Sequence, residues 1–159
     1  EGGIAEALSL AEHFAGDEKV VVILGDNILE KGINKEVEEF RRQEQGARLL
    51  VKEVEHPERF GVVDFDGDKI ISIEEKPREP KTNYVVTGIY MYDNRVFDMV
   101  RGLKPSARGE LEITDVNNMY IESGDLEYSR LDGWWTDAGT FNSLLYASRL
   151  VAEKRGDRP

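Results

Sequence analysis

Cysteine is absent from the sequence, and histidine occurs only at His13 and His56. The first absence excludes disulfides, thiolate metal sites and a cysteine nucleophile. The second excludes a histidine-rich metal centre. No apolar run approaches the length of a membrane-spanning helix, so we expect no membrane partner. A chain without cysteine also fits the cytoplasm, which is the expected location.

Positive charge is in deficit as well. The sequence has 21 Lys and Arg against 32 Asp and Glu, for a formal net charge of −11. Nucleic acid is therefore not an expected partner, because a surface that binds it is basic. An acidic protein can still bind phosphate groups where a few cations converge locally. The 159 residues suffice for one hydrophobic core.

The spacing of apolar residues predicts an α/β fold with antiparallel additions. Residues 20–24 form a continuous apolar run, which is typical of a strand buried on both faces of a parallel sheet. Asp66-Gly67, between two short apolar runs, predicts a hairpin. Strands are predicted over residues 20–24, 47–54, 60–65, 69–73, 84–92 and 126–131. Helices are predicted over 3–14, from about 33 to 46, from 93 or 94 to 102, from 114 or 115 to 123, and over 141–154.

The first candidate for chemistry is Asp26, which follows the buried run in VVVILGDN (residues 20–27). Ligands of open α/β sheets bind beyond the carboxyl ends of the parallel strands. Gly25 allows a ligand to approach the backbone closely. A carboxylate at that place commonly holds a hard cation, and Mg²⁺ there usually accompanies a phosphate. The alternative is that Asp26 caps the next turn.

Four further positions allow a functional or a structural interpretation. Asp137 in GWWTDAGT is the best second carboxylate, although it could be a helix N-cap beside two core tryptophans. Lys76 in EEKP could meet an anion or form a solvated pair with glutamate. Arg108 in PSARGE could contact a phosphate or stay in solvent. The segment VVTG (residues 85–88), with a small residue and a glycine in a strand, could form a flat wall against a sugar or mark a bulge.

Six segments carry a resemblance to a known family. In their order along the chain they are LGDN, PERFGVV, EEKP, NYVVTGIYMYD, LKPSARGELEITD and GWWTDAGT. Together they resemble the glucose-1-phosphate thymidylyltransferases. The likeness runs from about residue 2 to residue 147, and LKPSARGELEITD is its most specific part. It implies a Rossmann-like, GT-A-like mixed sheet with helices on both faces. It also implies Mg²⁺ as cofactor, dTTP and glucose 1-phosphate as substrates, and a homo-oligomer.

The resemblance also implies roles for particular residues. Asp26 and Asp137 would hold the metal, while Lys76 and Arg108 would act in catalysis by holding the sugar phosphate. Residues implied to bind the substrates are Gly3, in GGIAEA near the base, and Asn27, Gly61, Glu75 and Val86 around the sugar.

The sequence departs from the family pattern at its start. The glycine-rich loop of the form GGxGTRL, and the first parallel strands of the sheet, are absent from these 159 residues. We therefore expect residues 1–159 to be the central and C-terminal part of one nucleotidyltransferase domain. Two rival hypotheses stay open, namely a non-catalytic fragment that binds sugar phosphate or regulates, and a uridylyltransferase of the same fold.

Overall fold

The computed structural model describes residues 2–156 as a mixed sheet with helices on both faces, as the sequence predicts. No helix among these residues is both long and apolar enough to cross a bilayer. The helices are α1 (Gly3–Ser9), α2 (Glu12–Ala15), α3 (Asn34–Arg42), α4 (Val96–Gly102), α5 (Ile113–Glu122) and α6 (Phe141–Arg155), with a 3₁₀ turn at Pro57–Arg59. The strands are β1 (Val20–Ile23), β2 (Asn27–Leu29), β3 (Ala47–Glu53), β4 (Gly61–Asp66), β5 (Lys69–Glu75), β6 (Tyr84–Tyr92), β7 (Leu126–Arg130) and β8 (Trp135–Asp137).

The long strand β6 organises the main sheet. Strands run in the order β5-β4-β6-β3-β7, and β1 also pairs with β6. The pairs of β6 with β1, β3 and β4 are antiparallel, whereas β3 and β7 are parallel. The predicted hairpin is confirmed, since β4 and β5 pair around Gly67, whose φ of 58° suits a residue without a Cβ. A separate ribbon of β2 and β8 lies at the end of β1.

Alternate side chains of the sheet enter two apolar clusters. One cluster joins Leu49, Val86 and Tyr92 of the strands to helices α1, α4 and α5. The other joins Leu50, Val85 and Met91 of the strands to Phe40 of α3 and Trp135 of β8. Burial on both faces holds β6 rigidly in the centre, so the residues at its middle are fixed in place.

A partly buried ionic network ties α4 and α5 to the sheet. The Asp93 carboxylate accepts bonds from the Gly46 backbone N–H (2.6 Å), the Tyr120 hydroxyl (2.7 Å) and Arg95 Nε (2.8 Å). Arg95 also bonds Asp125 at 2.9 Å. Burial raises the pKa of Asp93, but the bonds from Arg95, Gly46 and Tyr120 lower it by more, and the net pKa lies below 3.8.

Two sequence predictions near the start of the chain were wrong. The helix predicted over 3–14 is two short helices, because the Ala11 N–H bonds the Leu8 carbonyl and tightens the turn. Phe14 stays 95% exposed. The strand β1 is antiparallel to its neighbour rather than buried in a parallel sheet, and its residues Val21 and Ile23 are exposed.

Two other predictions need correction. The helix expected to begin after a Thr114 or Asp115 cap begins at Ile113, with Glu112 as the N-cap. Residues 27–29 and 135–137, for which no helix or strand was predicted, form the ribbon β2–β8. A strand of three residues is too short to show a period, so its pairing was not visible in the sequence.

Candidate metal and sugar-phosphate site

The ribbon β2–β8 brings the two predicted metal ligands together. Asp26 stands between the end of β1 and the start of β2, and Asn27 is paired directly with Asp137 of β8. The Ala138 N–H donates to the Asp26 carbonyl at 2.7 Å, which extends the ribbon by one bond. Neither aspartate caps α6, because Thr140 and Ser143 form a capping box at its start.

The surroundings of Gly139 show that the two carboxylates converge on the same open space. A Cβ built on Gly139 would lie 3.3 Å from Asp26 Oδ2 and 3.3 Å from Asp137 Oδ2. The bare glycine therefore leaves free the space between two anionic oxygens. Within residues 2–156 no cluster of three or more potential ligand side chains is found. Mg²⁺ is commonly held by one or two carboxylates, with water and substrate phosphates completing the shell, so this donor set fits Mg²⁺.

Arg59 balances the charge of Asp137. Its Nη2 lies 3.4 Å from Oδ1 and 3.3 Å from Oδ2 of that carboxylate. The Arg59 side chain is 46% exposed, which makes this a weak ion pair that a stronger cation can replace.

A cavity of about 250 Å³ opens beside the two aspartates. Its wall contains every sequence-predicted site residue except Gly3, namely Asp26, Asn27, Gly61, Glu75, Lys76, Val86, Arg108 and Asp137. Gly3 lies in an adjoining cleft that shares Ile4, Leu24 and Glu110 with this cavity. At Gly3 the φ is +87°, and a Cβ would come within 2.6 Å of the Leu111 carbonyl oxygen, so glycine is needed there.

Lys76 has an unusual backbone. It follows β5, and its φ is 46°, in the left-handed region that side chains other than glycine rarely adopt. Its N–H bonds the Phe60 carbonyl at 3.0 Å, and Pro77 follows. Strained residues of this kind concentrate at functional sites. The Lys76 side chain is half exposed, and its ammonium lies 3.7 Å from Glu75 Oε1.

Arg108 is tied to its own loop. Its Nε and Nη2 bond the two oxygens of Glu112 at 3.0 and 2.7 Å, and Nη2 also lies 3.6 Å from Glu75. The bond from Arg108 lowers the pKa of Glu112, and the bond to Glu112 raises the pKa of Arg108. Glu75 in turn accepts a 2.6 Å bond from the Thr114 hydroxyl. The polar side of the cavity is thus a connected network.

The cavity wall also contains residues that sequence reasoning did not select. Among them are Arg59, Tyr90, Glu112, Thr114 and Trp135. Burial raises the pKa of Tyr90, and the charges of Glu75 and Asp26 raise it further, so its phenol stays protonated near neutral pH. Glu112 and Thr114 lie inside ELEITD, and Trp135 lies two residues before Asp137. The position of these three residues in or next to the motifs was the sequence signal that could have identified them.

Comparison with known proteins decides the family. The family model described as nucleotidyl transferase matches residues 1–154. The chain belongs to this nucleotidyl transferase family. The GT-A-like α/β fold expected from the sequence is thereby confirmed.

Several curated members of the nucleotidyl transferase family are similar in sequence to this chain. Glucose-1-phosphate thymidylyltransferase of Neisseria meningitidis is 44% identical over 153 residues, which cover 94% of this chain and 53% of that protein. The low-salt glycan biosynthesis nucleotidyltransferase Agl11 of Haloferax volcanii is 41% identical over 155 residues, covering 96% of this chain and 43% of that protein. The chain thus spans about half the length of the curated relatives it matches.

Solved structures of the nucleotidyl transferase fold agree with these relatives. A Bacillus anthracis protein, provisionally assigned as a glucose-1-phosphate thymidylyltransferase and crystallised with sucrose, is 58% identical with a TM-score of 0.89. The match covers 94% of this chain and 61% of that one. A UDP-glucose pyrophosphorylase bound to UDP-glucose has a TM-score of 0.85 at 22% identity, covering 96% and 63% of the two chains. That likeness concerns the fold alone.

Proposed function

We propose that this chain carries the sugar-phosphate and metal-binding part of a glucose-1-phosphate thymidylyltransferase. Such an enzyme makes dTDP-glucose and pyrophosphate from dTTP and glucose 1-phosphate. The observation that carries the proposal is the convergence of Asp26 and Asp137 on one open point beside the cavity. The names of the relatives from Neisseria and Haloferax support nucleotidyl transfer as the reaction class.

The proposed reaction is an in-line displacement. A phosphate oxygen of glucose 1-phosphate forms a bond to the α-phosphorus of dTTP, and the bond from that phosphorus to pyrophosphate breaks. The step depends on alignment and on neutralised charge rather than on a general base. Mg²⁺ held by Asp26 and Asp137 would supply charge neutralisation at the phosphates.

The chain's own side chains would bind and orient the sugar phosphate. Lys76 offers a half-exposed ammonium at the cavity wall and would hold the phosphate as a point charge. Arg108 would assist from its pair with Glu112. Glu75 can accept bonds from sugar hydroxyls, since the Thr114 hydroxyl occupies one site on one of its oxygens.

Backbone groups would complete the sugar site. Gly61 would allow a close approach, because a Cβ there would fill space 3.2 Å from Ile73 Cγ2 and 3.5 Å from Glu75 Oε2. Val86 would contribute its backbone beside the sugar, and Gly3 would lie near the base from its adjoining cleft. We also retain as predictions that the protein is a homo-oligomer in the cytoplasm and that nucleic acid and membranes are not its partners.

Turnover of the protein tests this function. Pyrophosphate release is measured with dTTP, glucose 1-phosphate and Mg²⁺ for the wild type, Asp26→Asn and Asp137→Asn. Asp132→Asn is the matched control, because Asp132 is an exposed carboxylate in the loop that precedes β8. We expect each site variant to lose at least about 100-fold in kcat, in keeping with the loss of a preorganised electrostatic group, while the control keeps its rate.

The rival hypotheses give different results in the same assay. A wide preference for UTP over dTTP in kcat/KM identifies a uridylyltransferase. Binding of glucose 1-phosphate by the intact protein, without release of pyrophosphate from either nucleotide, identifies a non-catalytic binding protein. Near-wild-type rates in Asp26→Asn or Asp137→Asn contradict the assignment of the metal ligands.

A further inference from the structure

The side-chain amide of Asn27 is held by two donors at one atom. Trp135 Nε1 donates to Asn27 Oδ1 at 2.7 Å, and the Gly88 backbone N–H donates to the same oxygen at 3.0 Å. An amide nitrogen could not face two N–H donors, so these contacts determine which end of the amide is oxygen. The Asn27 Nδ2 group must then point the other way.

The nitrogen end of the amide meets the candidate metal ligand. Asn27 Nδ2 donates to Asp26 Oδ1 at 3.0 Å. The second oxygen, Asp26 Oδ2, is the one that shares the open space at Gly139 with Asp137 Oδ2. One oxygen of Asp26 is thus held by Asn27, and the other is directed toward the open space between the carboxylates.

The surroundings of Asn27 are rigid. A Cβ on Gly88 would lie 2.2 Å from Asn27 Nδ2 and 2.8 Å from its Cγ, so the amide packs directly on bare β6 backbone. Trp135 is 9% exposed and meets the Phe60 ring edge-on at 5.3 Å. The register of β2 and β8 pairs Trp135 with Leu29, which keeps the indole beside Asn27.

We propose that Trp135 and Gly88 lock the Asn27 amide so that it presets the Asp26 carboxylate for a divalent cation. Asn27 and Trp135 are then positioning residues that act through Asp26. This inference rests on the proposed function, because it takes Asp26 to be a metal ligand. It also gives the buried Trp135 a role beyond packing in the core.

A change from tryptophan to phenylalanine separates the hydrogen bond from the packing. Trp135→Phe keeps an aromatic ring and removes the N–H donor, and Trp134→Phe is the matched control one residue away. The measurement is the Kd for Mn²⁺, followed by electron paramagnetic resonance without nucleotide. Loss of such an outer partner weakens metal binding by about 10- to 100-fold, so we expect a Kd raised roughly tenfold in Trp135→Phe. The control should stay within about twofold of the wild type by the same reasoning.

A second measurement needs no metal. The chain has two tryptophans, so its ¹⁵N-labelled spectrum shows two indole N–H resonances that the two phenylalanine variants assign. Asn27→Ala should increase the solvent exchange of the Trp135 indole N–H at least about tenfold, since the loss of one hydrogen bond of about 1.5 kcal/mol gives that factor. The Trp134 resonance should not change.

The outcomes test the hydrogen bonds that lock Asn27 separately from the assignment of Asp26 as a metal ligand. An unchanged Mn²⁺ Kd in Trp135→Phe, with binding lost in Asp26→Asn, overturns the lock and leaves the proposed function in place. Unchanged Mn²⁺ binding in Asp26→Asn overturns the metal assignment itself. If Asn27→Ala does not fold, the Kd of Trp135→Phe decides. If Trp135→Phe does not fold, the indole exchange in Asn27→Ala decides.

Discussion

Replacing Asp93 with asparagine should destabilise the fold strongly without touching the candidate site. The Asp93 carboxylate lies 8% exposed and accepts bonds from Gly46, Tyr120 and Arg95 within 2.6–2.8 Å. In Asp93→Asn, one oxygen becomes an NH₂ group that faces N–H or O–H donors in either orientation of the amide. The charge that pairs with Arg95 is lost as well.

The magnitude follows from the bonds that are lost. Hydrogen bonds to charged groups are worth about 1.5–3 kcal/mol each, and breaking a buried pair costs about 3–5 kcal/mol. Because Arg95 is 42% exposed, water partly replaces its lost partner. We therefore expect the free energy of unfolding to fall by about 3 kcal/mol.

Urea denaturation measures this change, with Asp98→Asn as the control. Asp98 pairs with Arg101 at the surface, where its side chain is 75% exposed, so the control should lose less than about 1 kcal/mol. The midpoint should fall in Asp93→Asn while the slope m stays constant. A loss in Asp93→Asn no larger than that in Asp98→Asn would refute the reasoning.

Three further predictions follow from the same geometry. Because the folded-state pKa of Asp93 is lowered, its contribution to stability is complete above the unfolded value of 3.8 and is lost as the pH falls through the lower folded value. Urea midpoints measured from pH 6 to pH 2 should show this loss in the wild type and a flatter profile in Asp93→Asn, and parallel profiles would argue against it. Gly139→Ala should weaken Mn²⁺ binding at least about tenfold, because its methyl group enters the space between Asp26 and Asp137, and an unchanged Kd would show that this space is not the cation site. Lys76→Gly should be more stable than Lys76→Val by about 1–2 kcal/mol in urea, since the φ of 46° penalises a β-branched residue, while both variants should raise the KM for glucose 1-phosphate. Equal stability of the two Lys76 variants would mean that no backbone strain is relieved there.

Long, regular elements of the fold could be predicted from the sequence. The strand over residues 84–92 and the hairpin around Gly67 show clear periodicity and turn chemistry, and both are found in the structure. The helix predicted over 3–14 is interrupted by the turn after Ser9, and Leu10 beside that turn is 82% exposed. Phe14, which helical spacing places with the core residues, is almost fully exposed.

The residues of the candidate site could be predicted from its motifs, but the contacts between them could not. Asp26 and Asp137 could be proposed as partners from the resemblance, and the ribbon β2–β8 now supplies the physical reason for their proximity. The bond from Trp135 to Asn27 joins residues 108 positions apart. No local pattern encodes such a contact, since it depends on the register of two three-residue strands.

Crystallography with Mn²⁺ and glucose 1-phosphate tests the central claim most directly. An anomalous difference map locates the cation without any assumption about its ligands. Our account predicts a peak between Asp26 and Asp137, at coordination distance from an oxygen of each, with the sugar phosphate near Lys76. Glucose 1-phosphate bound in the cavity with no peak between these carboxylates, or with the peak elsewhere, would contradict it.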